Sequence, residues 1–206
     1  MILRLAAMLA LLLGAGTLLA FLRVVGRGPF APLEARHLRA MKDRLDPPAT
    51  AEPWTLADFE RLPHGESVAE YSGRERKGVV VDGYVQTMVR ASDGDIHLEL
   101  VAVPRAAGGR DTAYVTAEIS PGVRRGRWSW NELAAVFRPN RGAGGPWDGG
   151  PQRVRLTGWL LYDVAHDPQP SEWMRVHAAP RLTGWEIHPV MRIERWSGCA
   201  WREVPR

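Results

Sequence analysis

The sequence predicts a mainly β fold, a small antiparallel barrel, and three observations carry that prediction. From Lys77 onward the apolar period changes to two, the period of a strand with one buried face. The chain holds 21 Gly and 16 Pro, a content that marks frequent turns rather than a helical bundle. Late in the chain, Arg153 to His166 (RVRLTGWLLYDVAH) and Arg181 to Trp196 (RLTGWEIHPVMRIERW) are two β-rich runs, each with a histidine and carboxylates.

With 206 residues there is room for one domain and accessory segments. Residues 1–25 read as an N-terminal transmembrane anchor or a signal peptide. Leu5 to Leu22 is an uncharged apolar run between Arg4 and Arg23, and as a helix it reaches roughly 27 Å, enough to cross a bilayer. In the cleaved alternative, Leu5 to Leu13 is the apolar segment and Gly14-Ala15-Gly16 the small-residue cleavage region, although the run stays apolar through Leu22. The expectation is a single-pass protein of the bacterial inner membrane with its domain on the periplasmic or extracellular side. Its alternative is a secreted protein.

Residues 26–76 read as a helical stalk and linker. Leu38, Met41 and Leu45 fall on one helical face. Pro47 to Pro53 reads as linker, and Thr55 is placed as the N-cap of a brief helix that Pro63-His64-Gly65 stops. His37 and His64 are read as surface residues. Residues 77–198 form the barrel domain, and 199–206 a tail.

In the first barrel strand Val79, Val81, Val85, Thr87 and Val89 alternate with Asp82, Tyr84, Gln86 and Arg90, and Gly83 marks a bend or bulge. Ser92-Asp93-Gly94-Asp95 is a hairpin turn signal. The second strand sets Ile96, Leu98 and Leu100 against His97 and Glu99, and the third, Ala113 to Ile119, sets Val115, Ala117 and Ile119 against Tyr114, Thr116 and Glu118. Ser129-Trp130-Asn131-Glu132 is a capping box for a helix with Leu133 and Phe137 on its apolar face. The two late runs supply the fourth and fifth strands.

Three strands, one helix and two strands are the order of a five-stranded OB-like Greek-key barrel with a helix between strands 3 and 4. An open sheet packed on a helix is the competing architecture, but closure hides strand edges that would otherwise stay unpaired. The segments Asp95-Ile96-His97-Leu98-Glu99-Leu100, Val115-Thr116-Ala117-Glu118-Ile119, Thr157 to Asp163 with His166, and Trp185-Glu186-Ile187-His188-Pro189-Val190 follow one another in that frame. Over Lys77 to Trp196 the chain resembles a group of uncharacterised exported bacterial OB-fold-like proteins. The resemblance implies an exported barrel and no particular reaction.

The candidate chemistry lies on the outward faces of these strands. His97 and Glu99 leave one face of the second strand, Glu186 and His188 one face of the last, and Glu118 can join them. His97, Glu99, Glu118 and His188 are therefore the expected ligands of a divalent metal ion, if any is bound. Tyr84, Trp159, Asp163, His166, Trp185 and Glu186 form the expected binding surface, on the pattern of barrels that stack ligands on aromatic side chains. A non-enzymatic domain that binds an envelope protein or a glycan is the favoured reading, because no nucleophile elbow or close His-Glu-His spacing is present. The alternative is a metal-dependent hydrolase of phosphodiesters. The formal charge of +4 rests on arginines scattered among acids, with Lys42 and Lys77 the only lysines, so no nucleic-acid binding is expected. Cys199 is the single cysteine, which excludes an internal disulfide and a paired-cysteine zinc site.

Overall fold

The computed structural model describes residues 31–65, 67–104, 113–137, 152–167 and 181–204. It divides into two compact units, residues 1–41 and 42–206. In the first, helix α1 (Leu33–Lys42) ends in the residue that opens the second. Leu45 lies beyond that helix and is exposed, so the expected apolar face stops at Met41. Leu5 to Leu22 lies outside the described residues. Among the described residues no helix is long and apolar enough to cross a membrane.

The second unit is built on a seven-stranded sheet. Its strands are β1 (Ala51–Trp54), β2 (Gly78–Arg90), β3 (Ile96–Val101), β4 (Val115–Ile119), β5 (Gln152–Tyr162), β6 (Trp185–Trp196) and β7 (Trp201–Glu203). Five of them close a barrel in the order β2-β3-β4-β6-β5, with β5 returning to β2. All pairings around the ring are antiparallel except β4 with β6, which run parallel at Ala117 and Ile187. That is an OB-like barrel. Residues outside 77–198 extend the sheet: β1 adds to β2 in parallel, and β7 pairs with β6. Helices α2 (Leu56–Glu60) and α3 (Val68–Tyr71) bring Leu56, Phe59, Val68 and Tyr71 to the core.

Closure depends on the length of β2. Its Gly78 to Val85 half pairs with β5 and its Tyr84 to Arg90 half with β3, so one strand serves both sides of the ring. The register breaks between Val85 and Thr87 rather than at Gly83. An extra residue in a strand reverses the parity beyond it. Val85 and Gln86 are consecutively buried, Met88 then faces the core, and Val89, expected inside, is exposed. Gly83 instead leaves room for Leu100, since a Cβ there would stand 3.0 Å from its side chain.

The turn and cap signals act where expected. Gly94 has φ 94, and Ala91 and Asp95 are bonded across the hairpin that joins β2 to β3. Ser129 N donates to Glu132 Oε2 at 2.6 Å and Glu132 N to Ser129 Oγ at 3.2 Å, opening a helix that buries Leu133 and Phe137. Among its described residues the β4 to β5 connection holds two helices where one was expected: α4 (Pro121–Arg124) precedes α5 (Trp130–Phe137).

A second irregularity lies where β5 meets β6. Gly158 pairs with Val190 and Leu160 with Ile187, so β6 carries an additional residue around His188 and Pro189. A Cβ on Gly158 would meet Pro189 O at 2.5 Å, and glycine is what lets the two strands approach there. Arg44 fastens this point from outside the ring. Its guanidinium donates to the carbonyls of Glu75 (2.7 Å), Leu160 (3.2 Å) and His188 (3.1 Å). Burial lowers its pKa to about 10, against the nearby Glu75 charge.

Candidate functional site

Strand parity builds the site. Ile96, Leu98, Val115, Ala117, Ile119, Ile187 and Leu160 fill the barrel, so His97, Glu118, Glu186 and His188 must leave the opposite side of β3, β4 and β6. Cross-strand register then brings them together. His97 pairs with Glu118 across β3 and β4, and the parallel contact of Ala117 with Ile187 sets Glu118 beside His188.

Glu118 is the centre of the group. Its Oε1 is 2.9 Å from His97 Nδ1, and its Oε2 is 3.1 Å from His188 Nδ1 and 3.8 Å from Lys42 Nζ. Burial would raise the carboxyl pKa, but the His188 and His97 bonds and the Lys42 charge prevail and hold it well below the usual range. His188 Nδ1 also lies 2.9 Å from Glu186 Oε1, and Glu186 Oε2 accepts from Arg181 at 2.5 Å. His188 is wholly buried, and burial alone would lower its pKa. The bonds to Glu118 and Glu186 raise it instead, to about 9. Its other nitrogen, Nε2, is 3.4 Å from Asp95 Oδ2 without making a hydrogen bond. Burial drives the Asp95 pKa up to about 7, opposed by the His188 charge.

Asp163 extends the group along the end of β5. Its carboxylate is 3.5 Å from Lys42 Nζ and 3.0 Å from His166 Nδ1, and it caps the short 3-10 turn Val164–His166 by accepting from Ala165 N. Although burial opposes ionisation, those partners lower its pKa to about 2 and raise that of His166. Carboxylates thus crowd the Lys42 ammonium, with Asp93 Oδ2 a further partner at 3.9 Å. Burial disfavours its charge, yet Glu186, Glu118, Asp163 and Asp95 together raise its pKa above the ordinary lysine value. At the edge of this network Tyr162 Oη donates to Asp167 Oδ2, whose Oδ1 meets His64 Nδ1.

Of the expected metal ligands, His97, Glu118 and His188 meet. Glu99 does not join them, because it stands opposite Thr116, two residue pairs further along β3 and β4. Asp95, which the sequence placed in the hairpin turn and at the head of the second strand but not among the ligands, takes its position: one ligand atom each from Asp95, Glu118 and His188 lies within 4.8 Å of the other two. A signal for it existed, since residues 95, 97 and 99 share one parity. No local signal marked Lys42 or Arg181.

The expected binding surface divides. Asp163 and Glu186 belong to the buried network, and His166, itself exposed, meets it through Asp163. Trp185 is core, not surface: it is fully buried against Tyr162 and Tyr71, with Nε1 donating to Pro63 O at 2.8 Å. Its place at the start of β6, where chain from before the barrel packs across, covers a face that alternation alone leaves open. Trp159 is occupied by Arg44, stacked 4.7 Å from the ring centroid, and by a bond from Nε1 to Asp46 O.

Tyr84 lies on a different outer face, opposite Arg153. There Arg155 sits 4.4 Å over the Trp201 ring, and Arg153 lies 5.3 Å from the Trp196 and 5.4 Å from the Trp201 centroid. Asp82 accepts from Arg155 at 2.7 and 3.1 Å. The two tryptophans meet edge to face at 5.2 Å across β6 and β7.

No protein-family model matches the chain, and no curated protein matches it. Among solved structures it is similar to an OBody bound to hen egg-white lysozyme, at 17% sequence identity over 65% of this chain and 95% of that one, with a TM-score of 0.31. A score of that size carries no argument about function.

Proposed function

We propose that the chain is an envelope protein, held in the membrane by Leu5 to Leu22, whose OB-like barrel binds an acidic glycan without catalysing a reaction. One observation carries this reading: the face formed by Arg153, Arg155, Trp196 and Trp201 interleaves guanidinium groups with half-buried indole rings. Indole faces stack on flat apolar ring surfaces, and arginine pairs carboxylate or phosphate through two parallel bonds. A sugar polymer with acidic substituents offers both. The apolar run of spanning length supports the membrane attachment. Tyr84 extends the same face, whereas Trp185 is buried in the core and Trp159 Nε1 donates to Asp46 O.

Calorimetric titration of the full-length chain in detergent with acidic envelope-glycan fragments tests the proposal. The native chain binds, and the Arg153→Ala and Trp201→Ala variants each bind at least about tenfold more weakly, the loss expected for one charge-assisted contact or one stacked ring. Equal binding by the variants, or none by the native chain, sinks it. Chelator-sensitive cleavage of a phosphodiester in the same samples would replace it with the hydrolase reading.

A further inference from the structure

We propose that Asp95, Glu118 and His188 form a site for one divalent transition-metal ion of the Zn2+ or Mn2+ kind, with Glu186 orienting the imidazole from behind. This goes beyond the glycan face and does not depend on it.

The tautomer of His188 is the first step. Nδ1 faces two carboxylate oxygens, Glu186 Oε1 at 2.9 Å and Glu118 Oε2 at 3.1 Å. Carboxylates accept and do not donate, so the ring carries a proton on Nδ1. That leaves Nε2 as the nitrogen able to offer a lone pair. It is wholly buried, makes no hydrogen bond and faces Asp95 Oδ2 at 3.4 Å. A buried polar atom without a hydrogen bond is uncommon in folded proteins. Its residue belongs to the group in which Asp95, Glu118 and His188 each bring one ligand atom within 4.8 Å of the other two.

Size and charge agree. Ligand bonds of roughly 2.0–2.2 Å place opposed donors no more than about 4.4 Å apart, so the group must draw in by only a few tenths of an ångström. Asp93, Asp95, Glu118, Asp163 and Glu186 supply five carboxylates, and Lys42 and Arg181 two fixed cations. The carboxylates outnumber those cations, and this excess of negative charge favours a bound cation. A set of one imidazole nitrogen and carboxylate oxygens suits Zn2+ or Mn2+ better than the all-oxygen shells of Ca2+ and Mg2+.

The surrounding contacts are those of a supported ligand sphere. Glu186 holds the His188 ring through Nδ1 and is itself held by Arg181. His97 holds the Glu118 oxygen turned away from His188. Carboxylates that orient a ligating histidine in this way raise metal affinity 10- to 100-fold.

The test uses the full-length chain in detergent, stripped by chelator, with Cys199→Ser as background because Cys199 is exposed and a thiolate binds zinc on its own. The stripped protein is titrated with ZnCl2 and MnCl2 by calorimetry, then desalted for elemental analysis. One equivalent of ion is expected. Asp95→Asn and Glu118→Gln each weaken binding more than about 100-fold, and Glu186→Gln weakens it by the 10- to 100-fold of an orienting partner. Near-ultraviolet circular dichroism of each variant establishes that it is folded. If Glu118→Gln unfolds, the near-isosteric Asp95→Asn decides the question. No stoichiometric ion on the Cys199→Ser protein, or an ion held undiminished by folded Asp95→Asn, overturns the proposal.

Discussion

The barrel presents two charged outer faces that obey opposite electrostatics. Over β3, β4 and β6, the groups Asp95, Glu118, Asp163, Glu186 and His188 are buried and answer to one another. Over β2, β5, β6 and β7, Arg153, Arg155 and Asp82 stand in water beside two tryptophans. The residue types are similar and the strand parity is the same. What differs is cover, and cover sets both the strength of each interaction and the cost of removing one partner. A buried network responds as a unit, whereas a solvated face responds residue by residue.

The most severe way to break the contrast is Glu118→Ala in chelator-treated protein. It removes the carboxylate that both His97 and His188 face and leaves Lys42 and His188 with one neutralising group fewer. Breaking a buried pair from one side costs about 3–5 kcal/mol, so urea unfolding should show a loss of that size. A loss under about 1 kcal/mol would mean that the network behaves like a surface.

Next in size is the response of metal-free protein to pH. His188, raised from 6.5 to about 9, binds a proton more readily folded than unfolded. Its contribution is complete below about pH 6.5 and is lost as the pH rises through 9. Asp95, raised from 3.8 to about 7, acts with the same sign: its contribution is full below 3.8 and lost as the pH rises through 7. Glu118 and Asp163 are lowered, so theirs is present above the ordinary carboxylate values of 4.5 and 3.8 and lost as the pH falls. The thermal midpoint is therefore expected to be highest at mildly acidic pH and to decline on both sides. Asp95→Asn should remove the part of the decline between about pH 4 and 7. A midpoint flat from pH 5 to 9 in the native chain would contradict this.

The smallest effect belongs to the exposed face. Arg155→Ala loses the bidentate contact with Asp82 and the stack on Trp201. Both are solvated, so unfolding should register a loss of only about 0.5–1 kcal/mol. The ionic share should fade in molar salt, where the screening length is about 3 Å. An effect as large as that of Glu118→Ala would place this face, too, under cover.

Sequence by itself determined what depends on neighbours along the chain. The hairpin at Gly94, the capping box at Ser129 and the inward set Ile96, Leu98, Val115, Ala117 and Ile119 follow from turn chemistry and from a side-chain period of two. The strand, helix and strand order was enough to predict a closed barrel. The same parity put His97, Glu118, Glu186 and His188 outside it, in reach of one another once the register held. Tertiary structure alone decided the rest, because parity says which side of a strand a residue leaves and nothing about what lies over that side. Extra residues at Gln86 and around His188-Pro189 turned Val89 outward and set the place of His188. Chain from before the barrel covered Trp185. Lys42 came to Glu118 from 76 positions away, a contact that no local spacing encodes, whereas Arg181 reaches Glu186 from just ahead of the same strand. Burial of this kind gathers groups from distant sequence positions, and the charge that it gathers defines the candidate site.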